Sequence, residues 1–108
     1  MTIKQLVDSG LFKPVNIADD SREISKVFCC DLLSVAMSKA PADGCWITVM
    51  ANINTLAVAS LTDCSCIVIA EGTVVEAQVL DKAVQQGISL FQTDLPIFDA
   101  GLKVQEKL

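Results

Sequence analysis

Cys66-Ile67-Val68-Ile69-Ala70 is the stretch that decides how this chain folds. Three consecutive β-branched residues crowd a helical turn but suit a pleated strand, and a strand apolar on both faces is one covered on both sides. It belongs at the centre of a sheet. Matching apolar runs flank it at a regular interval: Cys45–Met50 begins 21 residues before it and Ile88–Phe91 begins 22 residues after it. That interval holds one strand, one crossover helix and two short loops, so the runs predict consecutive βαβ units. The expected fold class is α/β, a single three-layer domain over residues 1–108 with a mainly parallel central sheet.

Working outward, Lys26–Cys30 reads as a further strand, and Asp31 stands where a helix N-cap belongs, ahead of Leu32, Leu33, Val35, Ala36 and Met37. Ala40–Gly44 turns the chain into the next strand. Asn52 or Asn54 can cap the segment Thr55–Leu61, whose Ala57 and Ala59 would let it lie close to the sheet. Glu76–Gln86 is an amphipathic helix through Ala77, Leu80, Ala83 and Val84, stopped by Gly87. Thr93 or Asp94 can cap a last helix with Pro96 in its first turn. At the other end, Thr2 caps a short helix over Ile3–Ser9 that Gly10 stops, and Phe12–Ile17, broken by Pro14, reads as an edge strand. Ala18–Ser25, with Asp19, Asp20, Arg22 and Glu23, reads as a solvated connecting loop.

Composition narrows the function classes. A net charge of −5 with scattered lysines offers no cationic patch, which argues against nucleic acid as a partner. Apolar stretches are interrupted by Asn52, Asn54, Asp63 and Glu71 long before they could span a bilayer, so no membrane association is expected. With no leader pattern near the start, the expected location is cytoplasmic. A chain of 108 residues that is 52% hydrophobic has apolar surface left over after folding, and a protein interface, self-association first, is the usual cover.

The five cysteines form no zinc pattern, since C-C and C-x-C are not C-x-x-C and the chain has no histidine. Cys45 and Cys66 read as small buried hydrophobes. Cys29, Cys30 and Cys64 lie nearer to strand or loop ends, and a nucleophilic role for Cys29 or Cys30 would need a base or cation that the neighbouring sequence does not offer. Phosphate-binding glycine loops and the nucleophile elbow are absent, so no catalytic residues, metal ligands or cofactor are expected.

A parallel sheet delivers the carboxyl ends of its strands and the starts of its helices to one rim, where ligands bind. That rim holds Asp31, Asn52, Asn54, Glu71, Gly72, Thr93 and Asp94 as candidate ligand-binding residues, with Thr73 and Gln92 beside them. Amides and hydroxyls suit a small polar or nucleoside-like ligand. Its charges are all acidic by local sequence, which disfavours a multiply charged phosphate.

The run Cys30–Met37, then Ala40–Val49, then Asn54–Asp63, continuing through Ile67–Gly72, Gly87-Ile88 and Thr93-Asp94-Leu95, resembles the DRTGG domain family. The Asp-Arg-Thr-Gly-Gly signature itself is absent, and Met50–Asn54 carries no histidine. The resemblance implies an α/β fold similar to the N-terminal domains of HPr kinase/phosphorylase and of some Mur ligases. It also implies a non-enzymatic regulatory or scaffolding domain that forms a homodimer and binds a small nucleotide-like ligand at the strand ends, with a protein partner as a further expectation. Some relatives look like companions of iron-hydrogenase systems, so the alternative is a cysteine-dependent redox or metal-linked accessory protein.

Overall fold

The computed structural model describes all 108 residues. In chain order the elements are α1 (Ile3–Ser9), β1 (Lys13–Asn16), β2 (Lys26–Cys29), α2 (Leu33–Lys39), β3 (Gly44–Thr48), α3 (Ile53–Leu61), β4 (Cys66–Ile69), α4 (Ala77–Gln86), β5 (Ser89–Gln92) and α5 (Ile97–Gln105). One five-stranded sheet runs in the order β1-β5-β4-β3-β2. Strands β2 to β5 are parallel, and β1 pairs antiparallel with β5 at the edge. The expected α/β class and mainly parallel sheet are thus what the chain forms, with β4 at the centre and every residue of it buried.

The crossovers through α2, α3 and α4 all step in one direction along the sheet. Connections of a single hand then deposit all three helices on the same face. On that face Trp46, Ile67, Ile69 and Leu90 pack with Ala36, Leu56, Ala59, Val79 and Ala83. Alternation along each strand sends Cys45, Ile47, Cys66, Val68 and Phe91 to the opposite face. No crossover covers it. The two terminal helices do so instead, α1 with Ile3 and Leu6 and α5 with Ala100 and Val104, which completes the three layers.

The ends of α1 follow the sequence reading. Thr2 and Gln5 form a reciprocal capping box, and Gly10 takes the left-handed conformation at φ 70°. Other details differ. Helix α2 starts at Leu33, and Leu32, not Asp31, occupies its cap position without a side-chain bond. Asn52 caps α3, so Asn54 lies inside its first turn. In α3 Ala59 is buried but Ala57 is exposed, and α4 buries Val79 and Ala83 while Ala77 and Val84 face solvent. Pro96 holds the cap position of α5 rather than a place in its first turn, and neither Thr93 nor Asp94 caps that helix.

The largest departure is the Ala18–Ser25 segment. It is not merely a solvated loop, because Ile24 is buried and Arg22 gathers the starts of two strands. The Arg22 guanidinium lies 3.0 Å from Asp43 Oδ1 and 2.9 Å from Asp63 Oδ1, and it also donates to the Asp63 carbonyl at 2.6 Å. Both aspartates take the left-handed conformation, at φ 59° each, one residue before β3 and three before β4. Asp43 N–H donates to the Asp63 carbonyl at 2.9 Å and Ser25 N–H to the Asp43 carbonyl at 2.9 Å, so the three turns are stitched together. Partial burial opposes the charge on Arg22, but hydrogen bonds to Asp43 and Asp63 outweigh it and raise the guanidinium pKa. Arg22→Ala is expected to lower stability by about 1–2 kcal/mol, discounted for partial exposure. Urea unfolding would show it, with Arg22→Lys recovering only part because it lacks the planar fork.

Candidate functional site

The carboxyl rim of the sheet is built as two neighbouring groups. In the first, the Asp31 carboxylate accepts from Thr48 Oγ1 at 2.7 Å and from Val49 N–H at 2.9 Å. Thr48 Oγ1 in turn accepts from Met50 N–H at 3.2 Å. Strand β2 ends at Cys29, so the carboxylate takes the place of a ladder partner for the backbone just past β3. Asp31 therefore braces a strand end where the sequence suggested a helix cap. Asn52 Oδ1 accepts from Thr55 N–H at 3.0 Å, a capping contact, and Asn54 is exposed.

The second group joins the exits of β4 and β5. Glu71 and Gly72 take consecutive left-handed conformations, at φ 60° and 67°. Their N–H groups donate to the carbonyls of Leu95, at 2.9 Å, and Thr93, at 3.0 Å. Gln92 Nε2 donates to the Thr73 carbonyl at 2.7 Å, and Thr93 Oγ1 accepts from Leu95 N–H at 3.2 Å. A Cβ on Gly72 would stand 3.1 Å from Asp94 Oδ1, so a side chain there would be both strained and crowded. The turn after β4 and the loop after β5 are one hydrogen-bonded unit.

Beside that unit lies a cleft of about 540 Å³, between the α1–β1 turn at Gly10–Lys13 and the β5 exit at Gln92–Asp94. Its size falls within the range of small-molecule sites. Phe12 forms the floor, buried and edge-on to Phe91 at a centroid distance of 6.3 Å. Of the seven candidate residues, Thr93 and Asp94 line the cleft, Gly72 is bonded to Thr93, and Glu71 is bonded to Leu95, the residue after Asp94. Asp31, Asn52 and Asn54 do not line it.

Folding adds a residue that local sequence did not place on this rim. Lys13 pairs with Gln92 across the antiparallel β1–β5 ladder, which puts an exposed ammonium in the cleft lining. It makes no ion pair within the chain. The rim is thus not purely acidic. The signal available in the sequence was the edge strand at Phe12–Ile17, read without its neighbour.

The thiols are spread through the molecule. Cys45, Cys64 and Cys66 are buried, Cys30 is half-buried and Cys29 is exposed. A hydrogen bond with Cys45, reinforced by burial, holds the Cys66 thiol well above its ordinary pKa; burial raises Cys64 and Cys29. Raised values disfavour thiolates, and reactivity follows the thiolate. No three His, Cys, Asp or Glu side chains are grouped to hold a metal ion. No helix is long and apolar enough to cross a membrane.

No protein-family model and no curated protein matches the sequence. Among solved structures, the chain is similar to the crystal structure of the CBS and DRTGG domains of the regulatory region of Clostridium perfringens pyrophosphatase, complexed with its activator diadenosine tetraphosphate. The TM-score is 0.80 at 14% sequence identity, over 99% of this chain and 47% of that chain. The chain therefore has a DRTGG-like fold and spans about half the length of that structure's chain.

Two outcomes are expected. Replacing Asp31 by Ala leaves Thr48 and Val49 without their acceptor and lowers stability by about 1–2 kcal/mol, read by chemical unfolding. Because the native Cys66 pKa lies above the ordinary thiol value near 9.0, the native state keeps a proton that the unfolded chain releases. Stability is then intact below that pH and falls as pH rises past it toward the native value. Unfolding midpoints measured across this window should decline, and less steeply in Cys66→Ala.

Proposed function

We propose that this DRTGG-like fold, residues 1–108 acting as one unit, is a non-enzymatic regulatory or scaffolding domain. It forms a homodimer and binds a small nucleotide-like ligand at the carboxyl rim of its sheet. The observation that carries the ligand part is the cleft between Gly10–Lys13 and Gln92–Asp94. In it the Lys13 ammonium supplies the positive charge a phosphate requires, and the Asp94 carboxylate and Thr93 hydroxyl supply acceptors for sugar hydroxyls. Glu71 and Gly72 fix the loop that presents Thr93 and Asp94. Asp31, Asn52 and Asn54 form a neighbouring stretch of rim that a larger ligand would reach.

Further support comes from the fold, shared with a regulatory region whose crystal structure contains diadenosine tetraphosphate. The chain has no histidine and so no imidazole to serve as a general base, in keeping with binding rather than turnover. Five unpaired cysteines suit a reducing, cytoplasmic setting. A protein partner would read the liganded state. The cysteine-dependent redox alternative gains no support from thiols that are mostly buried and, at Cys29, Cys64 and Cys66, raised in pKa.

A thermal-shift series with ATP, ADP and diadenosine tetraphosphate tests the ligand part. At a concentration 100 times Kd, a nucleotide adds about 2.7 kcal/mol of stability and moves Tm upward by roughly 10 °C. Lys13→Glu should abolish the shift while leaving the unliganded Tm near that of the wild type. No response to any nucleotide would remove the ligand part, and an undiminished response in Lys13→Glu would move the site elsewhere.

A further inference from the structure

We infer that a recess at the amino rim of the sheet, between Arg22, the α3–β4 connection and the end of α4, binds a small α-amino acid as its zwitterion. This is a second site, on the rim opposite the nucleotide cleft, and it stands independently of the nucleotide reading. The turns before β2, β3 and β4 are stitched together around Arg22, but none of those backbone bonds reaches the α4–β5 turn at Gln86–Ile88. A recess of about 150 Å³ is left between them. It lies below the size range of ordinary small-molecule sites, so it excludes a nucleotide and admits a molecule of a few heavy atoms.

The polar groups that line the recess divide into engaged and free. Cys64 Sγ lies 3.3 Å from Thr62 Oγ1, and Ser65 Oγ donates to the Glu23 carbonyl. Arg22 commits Nε and Nη2 to Asp43 and Asp63, which leaves both N–H groups of Nη1 without a partner in the chain. Asp63 meets Arg22 through its carbonyl and Oδ1, so Oδ2 is free as well. The Ser60 hydroxyl and the Gln86 amide also line the recess, and neither is hydrogen-bonded within the chain. No buried side-chain nitrogen or oxygen lacks a partner, so these four free groups are open to solvent and to a ligand.

Charge selects the class of ligand. A lone anion at Nη1 meets the carboxylates of Asp43 and Asp63 and the negative ends of α3 and α4, which both terminate at this rim. A lone cation at Asp63 meets the guanidinium. The 2.9 Å contact between Arg22 Nη2 and Asp63 Oδ1 sets the two opposite charges side by side. An α-amino acid carries its carboxylate and its ammonium on one carbon and matches that spacing, whereas longer amino acids hold the two charges apart. Its carboxylate accepts from Arg22 Nη1 and the Ser60 hydroxyl, and its ammonium donates to Asp63 Oδ2 and the Gln86 amide oxygen. Ala59 and Ile88, both buried, form the apolar wall and restrict the ligand to a small side chain such as a methyl group.

Titration of the full chain with L-alanine, followed by backbone amide NMR shifts, is the test. Saturable change is expected at Ser60–Ser65 and Gln86–Ile88, with a Kd on the order of 1 mM, as suits so small a ligand. Propionate, ethylamine and γ-aminobutyrate, which lack one charge or hold the two apart, should each bind at least roughly tenfold more weakly, since each forfeits a charge-assisted contact. Ser60→Phe fills the recess from an exposed position, and Gln86→Lys sets an ammonium where the ligand's own belongs; both should abolish the response, while Lys13→Glu in the nucleotide cleft should leave it intact. Circular dichroism checks that each variant is folded. Equal binding of propionate or of ethylamine overturns the zwitterion reading. Undiminished binding in both Ser60→Phe and Gln86→Lys overturns the placement, and no saturable change with L-alanine overturns the site while leaving the nucleotide cleft untouched.

Discussion

One constraint runs through the molecule: three crossovers of the same sense cover one face of the sheet and leave the other bare. Cys45, Ile47, Cys66, Val68 and Phe91 would otherwise meet water, and burying residues of that size contributes on the order of 1.5–3 kcal/mol for each large side chain. Only the chain ends are free to cover them. Helix α5 comes so close that a Cβ on Gly101 would stand 3.1 Å from Cys29 Sγ. Helix α1 lies over the same face, and the chain must then return to the sheet as β1, beside β5. That return places Gly10–Lys13 against Gln92–Asp94. The cleft is thus a consequence of how the bare face is covered.

The two rims of the sheet have been given different work by their side chains. At the amino rim, Arg22 joins Asp43 and Asp63, and backbone bonds stitch the turns before β2, β3 and β4 into a closed unit. At the carboxyl rim the same kind of stitching ties the β4 and β5 exits but stops short of the α1–β1 turn, leaving the cleft. A parallel sheet positions helix starts and strand exits at that rim, so the open end is also the one suited to ligands.

What the sequence made legible was governed by neighbours in the chain. Ile67-Val68-Ile69 identified the central strand because β-branching and two-sided burial leave their mark on consecutive residues. Thr2 and Gly87 were legible as helix ends for the same reason. Asp31 was not: an aspartate before two leucines reads as a cap, and only the early end of β2 turns it toward Thr48 and Val49. Arg22 lay in a run of charges indistinguishable from solvated surface, its two partners far along the chain. Lys13 reached the rim through the order of strands, which local pattern does not encode. Among the candidate ligand residues, Thr93 and Asp94 fell on the cleft because they follow β5 directly, whereas Asn52 and Asn54 follow β3 and sit by a different stretch of rim.

The most direct test of the account is to map nucleotide binding residue by residue, using backbone amide NMR shifts during titration with diadenosine tetraphosphate. The expected result is saturable change concentrated at Gly10–Lys13, Glu71–Gly72 and Gln92–Asp94, with the turns around Arg22, Asp43 and Asp63 unmoved. Changes centred on those amino-rim turns, or no saturable change at all, would contradict it.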